Sequence, residues 1–294
     1  MTLKKDVSSE ENSYRGRIAP TPSGLLHAGH ARTFWVAWHR SRQFKGLLIF
    51  RTEDLDPLRC KANLVDAALR DLYWLGLSWA EGPDVGGSLG PYTQSERMGR
   101  YENAWQKLLA NGHIYPCNRS RKELRSYAEA MGLDAMDSLY PIEWRPDGHF
   151  FKPEAPDGDV AWRFRVPEGR KLTFIDGCLG ERSFEACVDF GDFLIWRRDG
   201  VPAYELAVVV DDLAMKVTEV VRGEDLLLST ARQILLYEAL GRMPPSFFHC
   251  PLLLDVDGQK LSKSFGSRSI QDHRANLVDP NEWSVAFADF YQSL

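Results

Sequence analysis

Residues 19–30 read APTPSGLLHAGH, which sets His27 and His30 three apart, with Gly29 between them and a proline-rich turn in front. In the stretch HARTFWVAWHRSRQF that follows, Phe34, Trp35, Ala37 and Trp38 have the spacing of one helix face, so the histidines stand where a helix begins. A helix N-terminus offers unpaired amides and the positive end of the backbone dipole, and imidazole N–H groups add donors, a combination suited to phosphate. Gly29 lets a ligand approach the backbone, and Pro20 and Pro22 hold the turn. Taken alone, a capped helix with two incidental histidines explains the pattern as well. A second cationic stretch, KLSKS at 260–264, sets Lys260 and Lys263 three apart among small polar residues. By itself it reads as a solvated loop or as a phosphate-binding one.

The elements that must position these groups alternate in type. GRIA is a short strand entering the Pro-Gly turn, GLLIFRTED a buried strand ending in charges, and ANLVDAALRDLYWLGL an amphipathic helix with Leu64, Ala67, Ala68, Leu72 and Leu75 on one side. SERMGRYENAWQKLLANG is a helix with Ser95 as its cap and glycine beyond its last turn. Strand–helix–strand–helix order with long crossovers implies a parallel sheet covered by helices, and ligands bind at the carboxyl ends of such strands. The Pro-Gly turn and RTED both lie at strand carboxyl ends and are expected to face one crevice. From about His113 to Pro202 the alternation fades into Gly, Pro and Asp with short strand-like pieces such as VAWRFRV and FGDFLIWRRDG, an inserted α+β subdomain. AYELAVVVDDLAMKVTEVVRGEDLL then reads as a return to long apolar strands, TARQILLYEALG as a helix, and the last 28 or so residues as polar and loosely packed. Asp211 and Asp212, after an apolar run, read as braces of the sheet.

Composition bounds the rest. The 294 residues, 44% of them hydrophobic, are ample for a globular core, and no apolar stretch reaches the roughly 18–20 residues that span a bilayer. The N-terminus, MTLKKDVSSEENSYRG, lacks the apolar segment of a secretory signal. Five scattered cysteines without a Cys-x-x-Cys pair fit reduced thiols in a cytoplasmic protein. A net charge of −5 argues against indiscriminate nucleic-acid binding but leaves room for a local basic face.

The histidine turn, the interrupted α/β pattern and KLSKS together resemble the class I aminoacyl-tRNA synthetases, whose HIGH and KMSKS signatures they match. The likeness is greatest to the glutamyl branch. It is carried by RIAPTPSGLLHAGHAR, FRTEDLDPLR, LYWLGLSWAEGPDVGG, GPYTQSERMGRYENAWQKLLANGHIY, VVVDDLAMKVTEVVRGEDLLLSTARQILLYEALG and KLSKS, nearly everything from Arg17 to Ser264. The resemblance implies an α/β fold. A Rossmann-like catalytic domain, a parallel sheet with helices on both faces, would comprise 17–112 and 203–264, with an acceptor-binding-like insertion at 113–202 and a short tail at 265–294. It implies attack of a glutamate carboxylate on the α-phosphate of ATP, with charge stabilised by His27, His30 and Lys263 as catalytic residues. Gly29 and, more weakly, Lys260 would complete the ATP site, with Mg²⁺ as the ATP counterion. Arg17 and Arg222 would bind the two carboxylates of glutamate with the Tyr204 hydroxyl as a further donor, Glu53 its ammonium, and Thr21 would line the pocket. Arginine suits the first task because its fork pairs bidentately. Read without the resemblance, Arg222 and Glu53 are better explained as a structural ion pair at a strand end.

Glutamyl-tRNA synthetases continue past the signature lysines into anticodon-binding helical domains, for which the thirty or so residues after Ser264 leave no room. That brevity resembles the glutamyl-queuosine-tRNA(Asp) synthetase group, which loads glutamate onto the queuosine base of tRNA(Asp). Val208 points the same way, because full-length glutamyl enzymes usually carry Asn there. The group often holds zinc in its insertion through Cys-x-Cys and Tyr-x-x-x-Cys. Here CNR and YPIEW keep only Cys117 and Tyr140, which cannot close a tetrahedral site, so no structural zinc and no other protein-held metal is expected. Packing by Trp144 and a salt bridge from Arg119 are expected in its place. Arg119, Arg121, Lys122 and Arg125 form a local basic run, either a solvated face or an RNA contact. The expected partners are L-glutamate, ATP and queuosine-bearing tRNA(Asp), with no membrane and a monomeric enzyme. Two rival readings stand beside this one: the same chemistry with another acceptor, a tRNA 3′ end or a non-RNA amine, and a degenerate module that only binds glutamate or nucleotide.

Overall fold

The structure is a computed structural model that describes residues 13–130, 139–147, 156, 160–253 and 268–294. In chain order the first elements are β1 (Arg15–Ile18), α1 (Ala28–Gln43), β2 (Leu47–Phe50), α2 (Ala62–Trp74) and α3 (Met98–Ala110). Next come β3 (Ile114–Cys117), α4 (Arg121–Ala130), β4 (Ala161–Phe164), β5 (Lys171–Asp176), β6 (Gly180–Glu185) and β7 (Phe193–Trp196). The chain continues through α5 (Tyr204–Ala214), β8 (Glu219–Gly223), α6 (Leu227–Ala239), β9 (Ser246–Cys250), α7 (Ile270–Ala275) and α8 (Pro280–Gln292). Two compact units divide these: one holds the described residues of Met1–Gln94, Met215–Glu224 and Pro245–Leu294, the other those of Ser95–Ala214 and Asp225–Pro244.

In the first unit β1 pairs in parallel with β2, Arg15 opposite Leu47 through Ile18 opposite Phe50. Within LLIF, Leu48, Ile49 and Phe50 are a continuous buried run, as in a parallel strand covered on both faces, while Leu47 is exposed. Strand β8 pairs in parallel with β9, Glu219 opposite Ser246 through Gly223 opposite Cys250. The Thr218 N–H donates to the Arg15 carbonyl at 2.9 Å, which joins the start of β1 to the start of β8. Helix α1 covers these strands with Ala31, Trp35, Val36 and Ala37. Beyond the ends of β1 and β2 the chains still run together, since Arg51 N–H donates to the Ile18 carbonyl at 2.9 Å and Glu53 N–H to that of Pro20 at 3.1 Å. The expected shared crevice of the Pro-Gly turn and RTED therefore has its backbone basis.

The expectation of a loosely packed end is corrected over 268–294. This stretch forms α7 and α8, whose Trp283, Phe287 and Phe290 recur at helical spacing among polar residues that lower the average hydropathy. Phe287 is buried with its ring 6.2 Å from that of Trp35. Arg40 donates to the Tyr291 hydroxyl at 2.8 Å while its Nε and Nη2 each hold a Glu219 carboxylate oxygen at 2.6 Å.

In the second unit β3, β4 and β7 form an antiparallel sheet and β5 and β6 a hairpin. Trp105 of α3 meets Trp162 of β4 edge-on at 4.9 Å. The reading of AYELAVVVDD as a strand is corrected: Tyr204–Ala214 is helix α5, with Leu206, Ala207, Val208 and Val209 all buried. A helix covered all round has no polar stripe, so its sequence loses the period that separates it from a buried strand. Asp211 is a brace between helices, accepting from Arg97 Nε at 2.6 Å and from the Tyr101 hydroxyl at 3.0 Å. The expected Ser95 cap is also corrected, because Gln94–Arg97 forms a 3₁₀ turn and Arg97, without a side-chain cap bond, precedes α3. Among the described residues no helix is long and apolar enough to cross a membrane.

Candidate active site

His27 is the cap of α1. Its Nδ1 accepts the Gly29 N–H at 3.2 Å, and His30 Nδ1 accepts the His27 N–H at 3.4 Å, so each ring serves one of the amides that a helix start leaves over. The two rings lie 3.8 Å apart between centroids. With Nδ1 accepting, a neutral imidazole carries its proton on Nε2, so both rings offer an N–H donor at a helix N-terminus. A methyl group on Gly29 would lie 3.2 Å from His27 Cε1, tighter than ordinary contact. The glycine thus makes room for the protein's own ring, a constraint that the sequence did not reveal.

The chain around this turn is tied down from two sides. Ile270 N–H donates to the Leu26 carbonyl at 2.9 Å, at the mouth of α7. Arg32, one turn into α1, donates through Nη2 to the Pro251 carbonyl and stacks its guanidinium 3.9 Å from the centre of the Phe290 ring. Leu252 N–H donates to Glu224 Oε1 at 2.7 Å. Lys260 and Lys263 lie outside the described residues.

Arg17, on β1, is buried and donates from Nη1 to the Val221 carbonyl of β8 at 2.9 Å. Arg222, the next residue of β8, is buried as well and donates from Nε to His249 Nε2 at 3.2 Å. Neighbouring strands thus bring these two guanidiniums to the strand ends in one unit. Glu53 is buried in the same unit and ion-paired at 2.9 Å with the fully buried Arg51. Thr21 is exposed on the turn, its carbonyl accepting the Ser23 N–H at 2.8 Å. Tyr204 opens α5 in the other unit, partly exposed. Arg51 and His249 were missed by sequence reasoning. Arg51 stands two residues before Glu53, where a strand partner would, but His249 sits inside an apolar run with no local pattern.

In the insertion, Cys117 Sγ lies 3.2 Å from the Tyr140 hydroxyl, and both are buried. Trp144 meets Tyr140 edge-on at 5.7 Å and carries the Arg119 guanidinium 4.7 Å from its ring centre. Arg119 also pairs with exposed Glu123 at 3.1 Å. Among the described residues no three His, Cys, Asp or Glu side chains are grouped to hold a metal ion.

Comparison with known proteins gives the class of this chain. The family described as tRNA synthetases class I (E and Q), catalytic domain, matches residues 13–286. The chain belongs to this family, and membership implies the use of ATP, typically with Mg²⁺. A glutamyl-Q tRNA(Asp) synthetase of Symbiobacterium thermophilum is 47% identical over 269 residues, 90% of this chain and 82% of that protein. Another, of Nitratidesulfovibrio vulgaris, is 44% identical over 261 residues, 87% of this chain and 80% of that one. The crystal structure of a glutamate tRNA ligase from Elizabethkingia meningosepticum in complex with its amino acid is similar at TM-score 0.76 and 30% identity. That match covers 88% of this chain and 54% of the other, so the chain spans about half the length of that ligase.

Proposed function

We propose that the chain activates L-glutamate with ATP to glutamyl-adenylate and transfers the glutamyl group to the queuosine base in the anticodon of tRNA(Asp). The observation that carries the first half is the pair of buried arginines, Arg17 on β1 and Arg222 on β8, linked through the Arg17–Val221 bond in the unit whose helix α1 is capped by His27 and carries His30 in its first turn. The glutamate carboxylate attacks the α-phosphorus, the bond to the β-phosphate oxygen breaks, and pyrophosphate leaves. The step needs charge stabilisation on the phosphates more than an acid or base. His27 and His30 supply donors through Nε2, and Gly29 keeps the His27 ring in place. Lys260 and Lys263, of the KLSKS stretch, add cationic charge. Mg²⁺ accompanies ATP, held by phosphates and water. Arg17 and Arg222 meet the two carboxylates, Glu53 the ammonium, Tyr204 adds a hydroxyl donor and Thr21 lines the entrance. The acceptor's nucleophile then attacks the activated carbonyl and AMP leaves.

The queuosine half is supported by the two relatives named for that activity, whose length this chain largely covers, and by Val208 on α5. Glutamate–tRNA ligases, such as one of Syntrophus aciditrophicus, are less similar at 41% identity, and this chain covers 55% of that one. We read the protein as a monomer of the cytoplasm, in keeping with its five free cysteines. We further propose a discontinuous catalytic domain at 17–112 and 203–264, the insertion at 113–202 as the RNA-facing part, and an insertion stabilised without zinc by the Cys117–Tyr140–Trp144 cluster. Pyrophosphate exchange into ATP, dependent on glutamate and proceeding without tRNA, is the expected result. No exchange under any condition refutes the ligase reading, and exchange only with tRNA(Glu) favours a conventional glutamylating enzyme.

A further inference from the structure

We infer that Asp71 and Arg274 form a positioning pair that locks α2 to α7 and so holds the turn carrying His27 in place for phosphate chemistry. The inference rests on the phosphate role proposed for His27 and deepens it. The turn is bonded at two points to separate helices. The Pro22 carbonyl accepts the N–H of Lys61, the residue before α2, at 3.1 Å. The Leu26 carbonyl accepts the N–H of Ile270, the first residue of α7, at 2.9 Å, and His27 itself pairs with Ser269 in an antiparallel bridge. Ser269 is fixed in turn by Asp272, whose N–H donates to its Oγ at 3.1 Å and whose Oδ2 accepts its hydroxyl at 2.7 Å. Two helices that each hold one part of the turn fix its shape only if they are fixed to one another.

The ion pair supplies that link. Asp71 lies in α2, α7 packs against that helix, and Arg274 stands one turn along α7 from the buried Ile270, on the same face. The Arg274 Nη2 is 3.4 Å from Asp71 Oδ1. Asp71 is completely buried, Arg274 is partly exposed, and among the described residues the Asp71 carboxylate oxygens make no hydrogen bond. Burial pushes the Asp71 pKa up, and the charges of Arg274 and Arg70 pull it back only in part. A buried charge with one loose partner is a poor source of stability, because desolvation offsets the attraction. What it provides is direction: a charge held away from water is drawn to its counter-ion alone, which fixes where α7 sits along α2. An apolar contact would hold the helices together but let them slide. Trp283 of α8, edge-on to His273 at 5.0 Å and to Trp74 at 6.4 Å, is such a contact between the same two helices. Loss of the pair therefore loosens the seat of α7 without detaching it.

Asp71→Asn keeps the shape of the side chain and removes its charge, leaving Arg274 at a partly exposed position. The melting temperature should stay at or above that of the starting protein. In glutamate-dependent pyrophosphate exchange, kcat should fall about 10- to 100-fold, the cost of a catalytic group held about 1 Å out of place, while KM for glutamate and for ATP stays within about threefold. Deuterium uptake by amides in peptides spanning 24–28 and 269–275, read by mass spectrometry, should quicken. Added to His27→Asn, Asp71→Asn should cost no more than about twofold further, since its effect passes through the ring already removed. Should Asp71→Asn fail to fold, Arg274→Gln serves the same measurements, and Arg274→Lys, which keeps the charge, is expected to restore kcat. Unchanged kcat or unchanged deuterium uptake overturns the inference. So does a loss that falls on KM instead of kcat, or a further loss in the His27→Asn background as large as in the starting protein. If His27→Asn alone keeps exchange at the starting level, the phosphate reading falls, and this inference with it.

Discussion

Replacing His27 by asparagine and by alanine tests whether this residue is a helix cap or a phosphate donor. Nδ1 of His27 accepts the Gly29 amide at 3.2 Å, a long bond, so the cap contributes no more than the typical value, about 1 kcal/mol. Asparagine is as good a cap, so His27→Asn should keep that contribution and lose only the ring's Nε2–H. Alanine loses both. Thermal unfolding should place His27→Asn at the melting temperature of the starting protein and His27→Ala about 2–4 °C lower. Exchange should fall in both, by about 10²–10³-fold, the cost of losing one preorganised donor to a developing charge. If His27→Asn folds normally and keeps exchange within about threefold, His27 is a cap and the phosphate role is wrong.

Other consequences follow from single contacts. Arg51→Met leaves Glu53 buried without its 2.9 Å partner and should cost about 3–5 kcal/mol in urea unfolding; a loss under about 1 kcal/mol contradicts the pairing. Phe287→Ala should cost about 3 kcal/mol or more, because its ring fills the contact between α8 and Trp35; a negligible change would mean α8 contributes nothing to stability. Burial lowers the pKa of His39, aided by the charge of Arg40, and burial alone lowers that of His113. Folded, both bind protons less readily than the unfolded chain, whose histidines titrate near the ordinary 6.5. Stability should therefore be complete above about pH 6.5 and fall as pH is lowered through that value, with a shallower fall in the His39→Gln, His113→Gln double variant.

The part of the fold nearest the chemistry was the most legible. β1, the Pro-Gly turn, α1, β2 and α2 follow each other with clean periods and breakers, so the crevice at the strand ends could be placed from sequence. α5 was misread because a helix buried on every side presents a continuous apolar run with β-branched residues, which is also how a covered strand looks. α8 was missed for the opposite reason, its four aromatics being diluted by polar neighbours. Of the candidate site, the histidine turn was singled out by its motif and the two arginines by family resemblance. Their supports were not: His249 reaches Arg222 only through the β8–β9 register, and the Val221 carbonyl reaches Arg17 only through neighbouring strands. Such partners are fixed by strand pairing, which no local pattern encodes.

The acceptor is the central claim, and one assay addresses it. The protein is incubated with ATP, labelled glutamate and tRNA(Asp) prepared with and without queuosine. Label retained only on the queuosine-bearing tRNA is the expected result. Equal labelling of the two preparations, or labelling of tRNA(Glu) in their place, would contradict it.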